Sequence, residues 1–168
     1  MLDRLSEIVP DYPSAGISFK DLTPVFADAQ GLRRIVDSVI EPFRGQFDVI
    51  AGLEARGFVL AAAGAYATGT GMITVRKAGK LPREVFRDEY TLEYGTGTLE
   101  IHRDDVAPGT RVLILDDVLA TGGTVGSAVR LLEMAGAEVI GVGVVLELDG
   151  LGGREKLDGH AVHSLQLV

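Results

Sequence analysis

Arg111-Val112-Leu113-Ile114-Leu115-Asp116-Asp117-Val118-Leu119-Ala120-Thr121-Gly122-Gly123-Thr124 is the stretch that decides the fold. Val112 to Leu115 are uninterruptedly apolar and rich in branched side chains, the signature of a strand buried on both faces of a parallel sheet. The strand is expected to end at the two carboxylates, Asp116 and Asp117. Small and hydroxylic residues then lead into an amphipathic helix with Val125, Ala128, Val129, Leu131, Leu132 and Ala135 near helical spacing, closed by Gly136. A strand, a tight turn and a helix N-terminus make an anion cradle, because the turn's N–H groups and the helix dipole converge on one spot. Gly122 and Gly123 allow close backbone approach, and Thr121 and Thr124 add hydroxyl donors. The aspartates repel such an anion. Their presence fits a ligand that also carries vicinal hydroxyls or a metal ion.

An Asp-Asp pair alone reads as two solvated acids. Acid pair, Ala-Thr-Gly-Gly-Thr turn, strand and helix together point to a ligand. The stretch closely resembles the phosphoribosyl-diphosphate (PRPP) signature of type I phosphoribosyltransferases. The resemblance implies that Asp116 and Asp117 face the ribose diol, and that Ala120, Thr121, Gly122, Gly123 and Thr124 hold the 5′-phosphate. It also implies an α/β type I phosphoribosyltransferase fold: a central, mostly parallel sheet flanked by helices, with a flexible β-hairpin and an N-/C-terminal hood.

Composition narrows the alternatives. The 168 residues suit one domain with a sizeable core, and 46% hydrophobic with 24% charged residues is a globular rather than a disordered balance. There is no cysteine, which excludes disulfides, thiolate catalysis and cysteine-bound zinc. The net charge of −8 argues against a general nucleic-acid surface, so an anionic substrate must be met by a local basic cluster. The apolar segment Phe58 to Ala67 is too short to span a bilayer, and the N-terminus lacks a signal-peptide profile. A cytoplasmic location with no membrane partner is the expectation.

Along the rest of the chain, Leu2 to Ile8 is expected as a short helix. Pro10 to Pro24 is rich in turn formers and without sustained periodicity, the kind of long loop that tends to be functional. Its Pro10-Asp11-Tyr12-Pro13 and Gly16-Ile17-Ser18-Phe19-Lys20-Asp21-Leu22-Thr23-Pro24 runs look like the N-terminal segment of adenine phosphoribosyltransferases. That likeness implies that Phe19 stacks on the purine while backbone groups at Ser18 and Lys20 read the adenine edge. Gln30 to Phe43 is an amphipathic helix with Leu32, Ile35, Val36, Val39, Ile40 and Phe43 on one face.

Phe47 to Gly52 reads as a strand, and Leu53-Glu54-Ala55-Arg56-Gly57-Phe58 turns into a helix through Ala67. Arginine suits bidentate phosphate recognition. The run resembles the family's pyrophosphate loop, which implies that Arg56 contacts pyrophosphate and that a cis peptide can occur between Glu54 and Ala55. Met72 to Val75 is a third strand, leading into Arg76-Lys77-Ala78-Gly79-Lys80-Leu81-Pro82-Arg83, the basic cluster the acidic whole requires. It is no Walker A loop, and no Gly-x-Gly completes a dinucleotide fingerprint. The string matches the family pattern, with Arg76 and Lys80 the implied pyrophosphate contacts.

Glu84 to His102 alternates around Gly95-Thr96-Gly97 and reads as a hairpin set apart from the parallel core. Thr91-Leu92-Glu93-Tyr94-Gly95 again resembles the family, which implies Glu93 as proton donor to purine N7. Glu138 to Leu148 is expected as a strand, Leu151 to Leu157 as a short helix and Ala161 to Val168 as a last strand. By resemblance, Leu148 packs on the purine face opposite Phe19. His102, His160 and His163 show no ligand spacing.

The matches run in order from residue 10 to residue 157. They imply one domain over 1–168, with a purine-binding hood segment at 10–24, a mobile hairpin at 82–102 and the PRPP motif at 112–125. They also imply transfer of the phosphoribosyl group from PRPP to adenine, giving AMP and pyrophosphate. Mg²⁺ would be held mainly through PRPP and water with no direct protein ligand, and a homodimer is expected by family analogy. A phosphoribosyltransferase for another purine, and a nucleotide-sensing regulator without catalysis, remain as rivals at this stage.

Overall fold

The computed structural model describes residues 1–12, 15, 18–91 and 95–168. In chain order it contains α1 (Leu2–Leu5), β1 (Glu7–Pro10), β2 (Ser18–Asp21), α2 (Thr23–Ala27), α3 (Ala29–Ile40), β3 (Val49–Leu53), α4 (Arg56–Thr68) and β4 (Gly71–Lys77). There follow β5 (Val85–Thr91), β6 (Thr96–His102), β7 (Arg111–Leu119), α5 (Gly123–Met134), β8 (Glu138–Glu147) and β9 (Val162–Leu167). The main sheet has the order β5-β6-β4-β3-β7-β8-β9, and β1 and β2 form a separate two-stranded ribbon.

The central strand β7 explains why its sequence is apolar without alternation. Leu113 and Leu115 pack with Ile35, Val39, Ile40 and Leu60 of α3 and α4 on one face. Val112 and Ile114 pack with Val125, Ala128, Leu131 and Leu132 of α5 on the other. Both faces are covered, so a polar residue at any of these positions would be buried without water. β7 pairs in parallel with β3 and β8, and β3 pairs in parallel with β4. The connection β3–α4–β4 departs to one side and β7–α5–β8 to the other. The C-terminal ends of β3 and β7 therefore flank a topological switch point, where ligands of open α/β sheets collect.

Several expectations are corrected. Residues 7–10 are a strand rather than the end of a helix, because they pair antiparallel with β2 (Ile8 opposite Lys20, Val9 opposite Phe19). The turn-rich 10–24 stretch accordingly contains β2 and the start of α2. β7 does not stop at the aspartates; it continues through Asp116 and Asp117 to Leu119, since β8 pairs along its full length. The hairpin is not set apart from the core. β6 pairs antiparallel with β4 through Arg76 and Lys77, and Tyr90, Leu99 and Ile101 are buried in the α5-side cluster. An ion pair from Arg130 to Asp88, 2.7 Å, ties β5 to α5. Of the expected helix at 151–157 only a 3₁₀ turn, Glu155–Leu157, forms. Gly150 and Gly152, with φ of 74° and 67°, break the helical path before it.

Candidate active site

A cavity of about 1340 Å³ opens at the switch point. Part of its lining is apolar: Phe19 of β2 and Leu148, just past β8, both contribute, and the Tyr12 ring meets Phe19 edge-on at 5.2 Å. Ser18 and Lys20, on either side of Phe19 in β2, line the cavity as well. The Lys20 ammonium is turned onto Asp3 Oδ1 (2.5 Å) and Gln166 Oε1 (3.0 Å), which ties β2 to α1 and β9. Its side chain is thus occupied holding the segment in place.

A second part of the lining is built on β7 and α5. Asp116 and Asp117 belong to it, both largely buried, and the Asp117 N–H donates to Asp116 Oδ1 at 2.9 Å. Burial, reinforced by the charge of Asp117, pushes the Asp116 carboxyl well above the usual carboxylate range. The pair's counter-charge is Arg56, whose Nε is ion-paired with Asp117 Oδ2. Gly57 makes that approach feasible. A Cβ there would lie 2.8 Å from the Leu115 carbonyl and 2.9 Å from Asp116 Oδ1, so only glycine lets the first turn of α4 rest on β7. The peptide bond between Glu54 and Ala55 is cis.

Ala120 and Thr124 line the cavity, and Thr121, Gly122 and Gly123 form the turn between them that opens α5. Gly122 has φ 76°, and a Cβ on it would lie 2.6 Å from the Gly153 carbonyl. The loop carrying Gly153 is itself clamped by Arg154 Nε donating to Glu147 Oε1 at 2.8 Å and by Ser164 Oγ donating to Glu147 Oε2 at 2.6 Å. A tight turn, a helix N-terminus and a second loop packed behind it give the cradle its depth.

The basic residues do not all face the cavity. Arg56 lines it, whereas Arg76 and Lys80 converge on Glu54, a residue to which the sequence reading gave no role. Glu54 lines the cavity wall. Burial raises its carboxyl, but the hydrogen bonds from Lys80 and the Lys77 N–H, with the charges of Lys80 and Arg76, outweigh that and hold it below the ordinary range. The signal that would have found it is its position: an acid at the end of an inner strand, directly before Ala-Arg-Gly. Glu93 lies outside the described residues. From the hairpin arms around it, Tyr90 and Thr96 to Leu99 line the cavity.

The chain matches the model of the phosphoribosyl transferase domain over residues 20–168. It is 65% identical over 164 residues to the adenine phosphoribosyltransferase of Renibacterium salmoninarum, covering 98% of this chain and 90% of that protein. The chain belongs to the adenine phosphoribosyltransferase family. The crystal structure of the Thermoanaerobacter pseudethanolicus family member superposes with a TM-score of 0.96 at 45% identity, covering 99% of this chain and 98% of that one. The Saccharomyces cerevisiae family member, solved with an imino-altritol bisphosphate and adenine, superposes with a TM-score of 0.92 at 38% identity, covering 98% of this chain and 96% of that one. As a member of the adenine phosphoribosyltransferase family, the chain is a phosphoribosyl-transferring enzyme with the family's α/β fold.

Proposed function

We propose that this cavity transfers the 5-phosphoribosyl group of PRPP to adenine, giving AMP and pyrophosphate in purine salvage. The observation that carries the assignment is one cavity whose lining joins two chemistries: the apolar side chains of Phe19 and Leu148, and Asp116, Asp117 and the N-terminus of α5. A planar base fits between the apolar side chains, and a sugar phosphate fits the carboxylates and the cradle. Backbone groups at Ser18 and Lys20 read the base edge. A site built to pair a 6-amino group leaves its own buried groups unpaired with a 6-oxo purine, a large penalty.

In the reaction, the bond from adenine N9 to the anomeric carbon forms as the bond from that carbon to pyrophosphate oxygen breaks. By analogy with glycosyl transfer, the ribose gains oxocarbenium character. Asp116 and Asp117 stabilise that positive charge while holding the diol. Arg56, Arg76 and Lys80 take up the negative charge leaving with pyrophosphate. Thr121 and Thr124, with the N–H groups of Gly122 and Gly123 and the turn from Ala120, hold the 5′-phosphate throughout. With adenine as the tautomer protonated at N7, the Glu93 carboxylate takes that proton as N9 bonds to the anomeric carbon, and in the reverse direction it hands the proton back to N7 as the bond to N9 breaks.

The carboxylate oxygens of Asp116 and Asp117 are hard donors and suit Mg²⁺ better than a soft metal. The ion would be held mainly through PRPP oxygens and water beside them, and when bound it neutralises charge on the leaving pyrophosphate. Residues 10–24 act as the hood over the base, the hairpin at 82–102 closes over bound substrate, and residues 112–125 hold PRPP within a single domain over 1–168. A homodimer belongs to the same reading. The outer face of α4 supports the dimer, with Val59 40% and Tyr66 92% exposed about two turns apart on one side of the helix. A cytoplasmic location is part of the proposal, with small-molecule substrates and neither nucleic acid nor membrane as partner. No helix among the described residues is long and apolar enough to cross a membrane.

Glu93→Gln tests the proton transfer. It is expected to lower kcat by roughly 10²- to 10⁴-fold, the usual worth of general acid–base catalysis, while PRPP still binds. An unchanged kcat would remove Glu93 from the mechanism.

A further inference from the structure

Glu54 follows the last residue of β3, and its side chain is only 11% exposed. Its two oxygens collect three donors. Oε1 is ion-paired with Lys80 Nζ. Oε2 accepts the Lys77 backbone N–H at 3.0 Å and lies 3.4 Å from Arg76 Nε. Both side chains assigned above to pyrophosphate therefore rest on one carboxylate at the cavity wall. The loop that carries Lys80 has an independent anchor: buried Glu100 accepts the Gly79 N–H at 3.0 Å and pairs with Arg87 at 2.6 Å. Neutralising Glu54 would leave that loop backbone held.

Pyrophosphate presents anionic oxygens, which is what Glu54 already presents to the same ammonium and guanidinium. The two compete for one set of donors, and no donor can serve both at full strength. We propose that Glu54 is an internal stand-in for pyrophosphate: it holds Arg76 and Lys80 in the empty site and yields them to the diphosphate of PRPP. It takes them back when pyrophosphate leaves. The inference rests on the assignment of Arg76 and Lys80 to pyrophosphate. Its consequence is specific. Glu54 is a positioning residue whose charge weakens pyrophosphate binding and so favours product release.

The test is calorimetric titration of Mg²⁺-pyrophosphate into the wild-type chain, Glu54→Gln, Lys80→Met and the double variant, with AMP formation from adenine and PRPP assayed alongside. Glutamine keeps an oxygen for the Lys77 N–H and removes the competing charge. Glu54→Gln is expected to tighten pyrophosphate binding roughly two- to fivefold, the range of one partly exposed ion pair. The gain should shrink in the Lys80→Met background, and KM for adenine should not move. Glu54→Asp, which keeps the charge but shortens its reach, should shift affinity in the same direction by less, and serves if the glutamine variant does not fold. Unchanged or weaker pyrophosphate binding in the folded variants would overturn the inference while AMP formation by the wild type left the functional reading standing. Absence of AMP formation by the wild type would strike the functional reading itself.

Discussion

The Arg56 guanidinium lies over the Phe19 ring, 5.0 Å from its centroid, while its Nε pairs with Asp117. One side chain thus links Phe19 and Asp117, the residues proposed for the base and the ribose. Its stacking on the aromatic face contributes on the order of 0.5–2 kcal/mol. In the proposed reaction adenine would claim one side of this contact, at Phe19, and the ribose of PRPP the other, at Asp117.

Phe19→Ala removes the platform without touching the phosphate cradle. Stacking of a base on an aromatic ring is worth about 1–3 kcal/mol, so KM for adenine should rise about tenfold or more. KM for PRPP should change less than about threefold, and Phe19→Tyr should restore the adenine value. Steady-state kinetics with each substrate varied in turn gives the answer. An equal rise in both constants would mean that Phe19 supports the whole site rather than the base.

Asp116→Asn separates stability from function. The folded chain holds the Asp116 proton more tightly than the unfolded chain, through burial first and the Asp117 charge second. Where the folded state binds more protons, stability falls as pH rises, here from the ordinary carboxylate pKa of about 3.9 upward to the raised value. Asparagine carries no such penalty. Its Tm should exceed the wild-type Tm at pH 7 by roughly 2–4 °C for each kcal/mol recovered, and the two should converge near pH 4. Phosphoribosyl transfer should fall sharply in the same variant. A lower Tm at pH 7 would show that the Asp116 carboxylate stabilises the empty fold.

Gly122→Ala should damage both the turn and catalysis. It forces a left-handed φ on alanine and drives its Cβ against the Gly153 carbonyl, at a cost of roughly 1–3 kcal/mol. KM for PRPP should rise at least about tenfold, since 1.4 kcal/mol at the phosphate is already that much. Gly109→Ala is the control. Its φ is 80° but nothing lies within 4 Å of the added Cβ, so a small loss of Tm without a change in KM is expected. Thermal melts and PRPP kinetics on both variants distinguish a torsional cost from a lost cradle.

The parallel core was legible because burial on both faces writes itself as unbroken apolar sequence, as in Val112 to Leu115. The helix over Ala29–Ile40 was legible from its one apolar face, and Asp28 caps it by accepting the Gly31 N–H at 2.6 Å. The β1–β2 ribbon was not. Strands as short as Glu7–Pro10 carry too little alternation, and their pairing depends on a partner across the loop. The hairpin's strands were readable, but not their junction with β4, because alternation reports a face and not a neighbour. Carboxylates suggested an end to β7 where the strand continues, since charges rarely sit inside a buried strand unless a site requires them. Within the site, the structure brings Arg56, Asp116, Asp117, Phe19 and Leu148 to one cavity. The grouping of Arg76 and Lys80 on Glu54 depends on where β3 and β4 end side by side, which spacing along the chain does not encode.

The most direct measurement is base selectivity. Purified chain with PRPP and Mg²⁺ would be incubated separately with adenine, hypoxanthine, guanine and xanthine, following nucleotide formation and pyrophosphate release. The account predicts AMP from adenine and no comparable turnover of the oxo-purines. Preferred turnover of an oxo-purine would contradict the reading of the Ser18–Lys20 edge and the Phe19–Leu148 pocket, and PRPP binding without turnover of any base would contradict catalysis altogether.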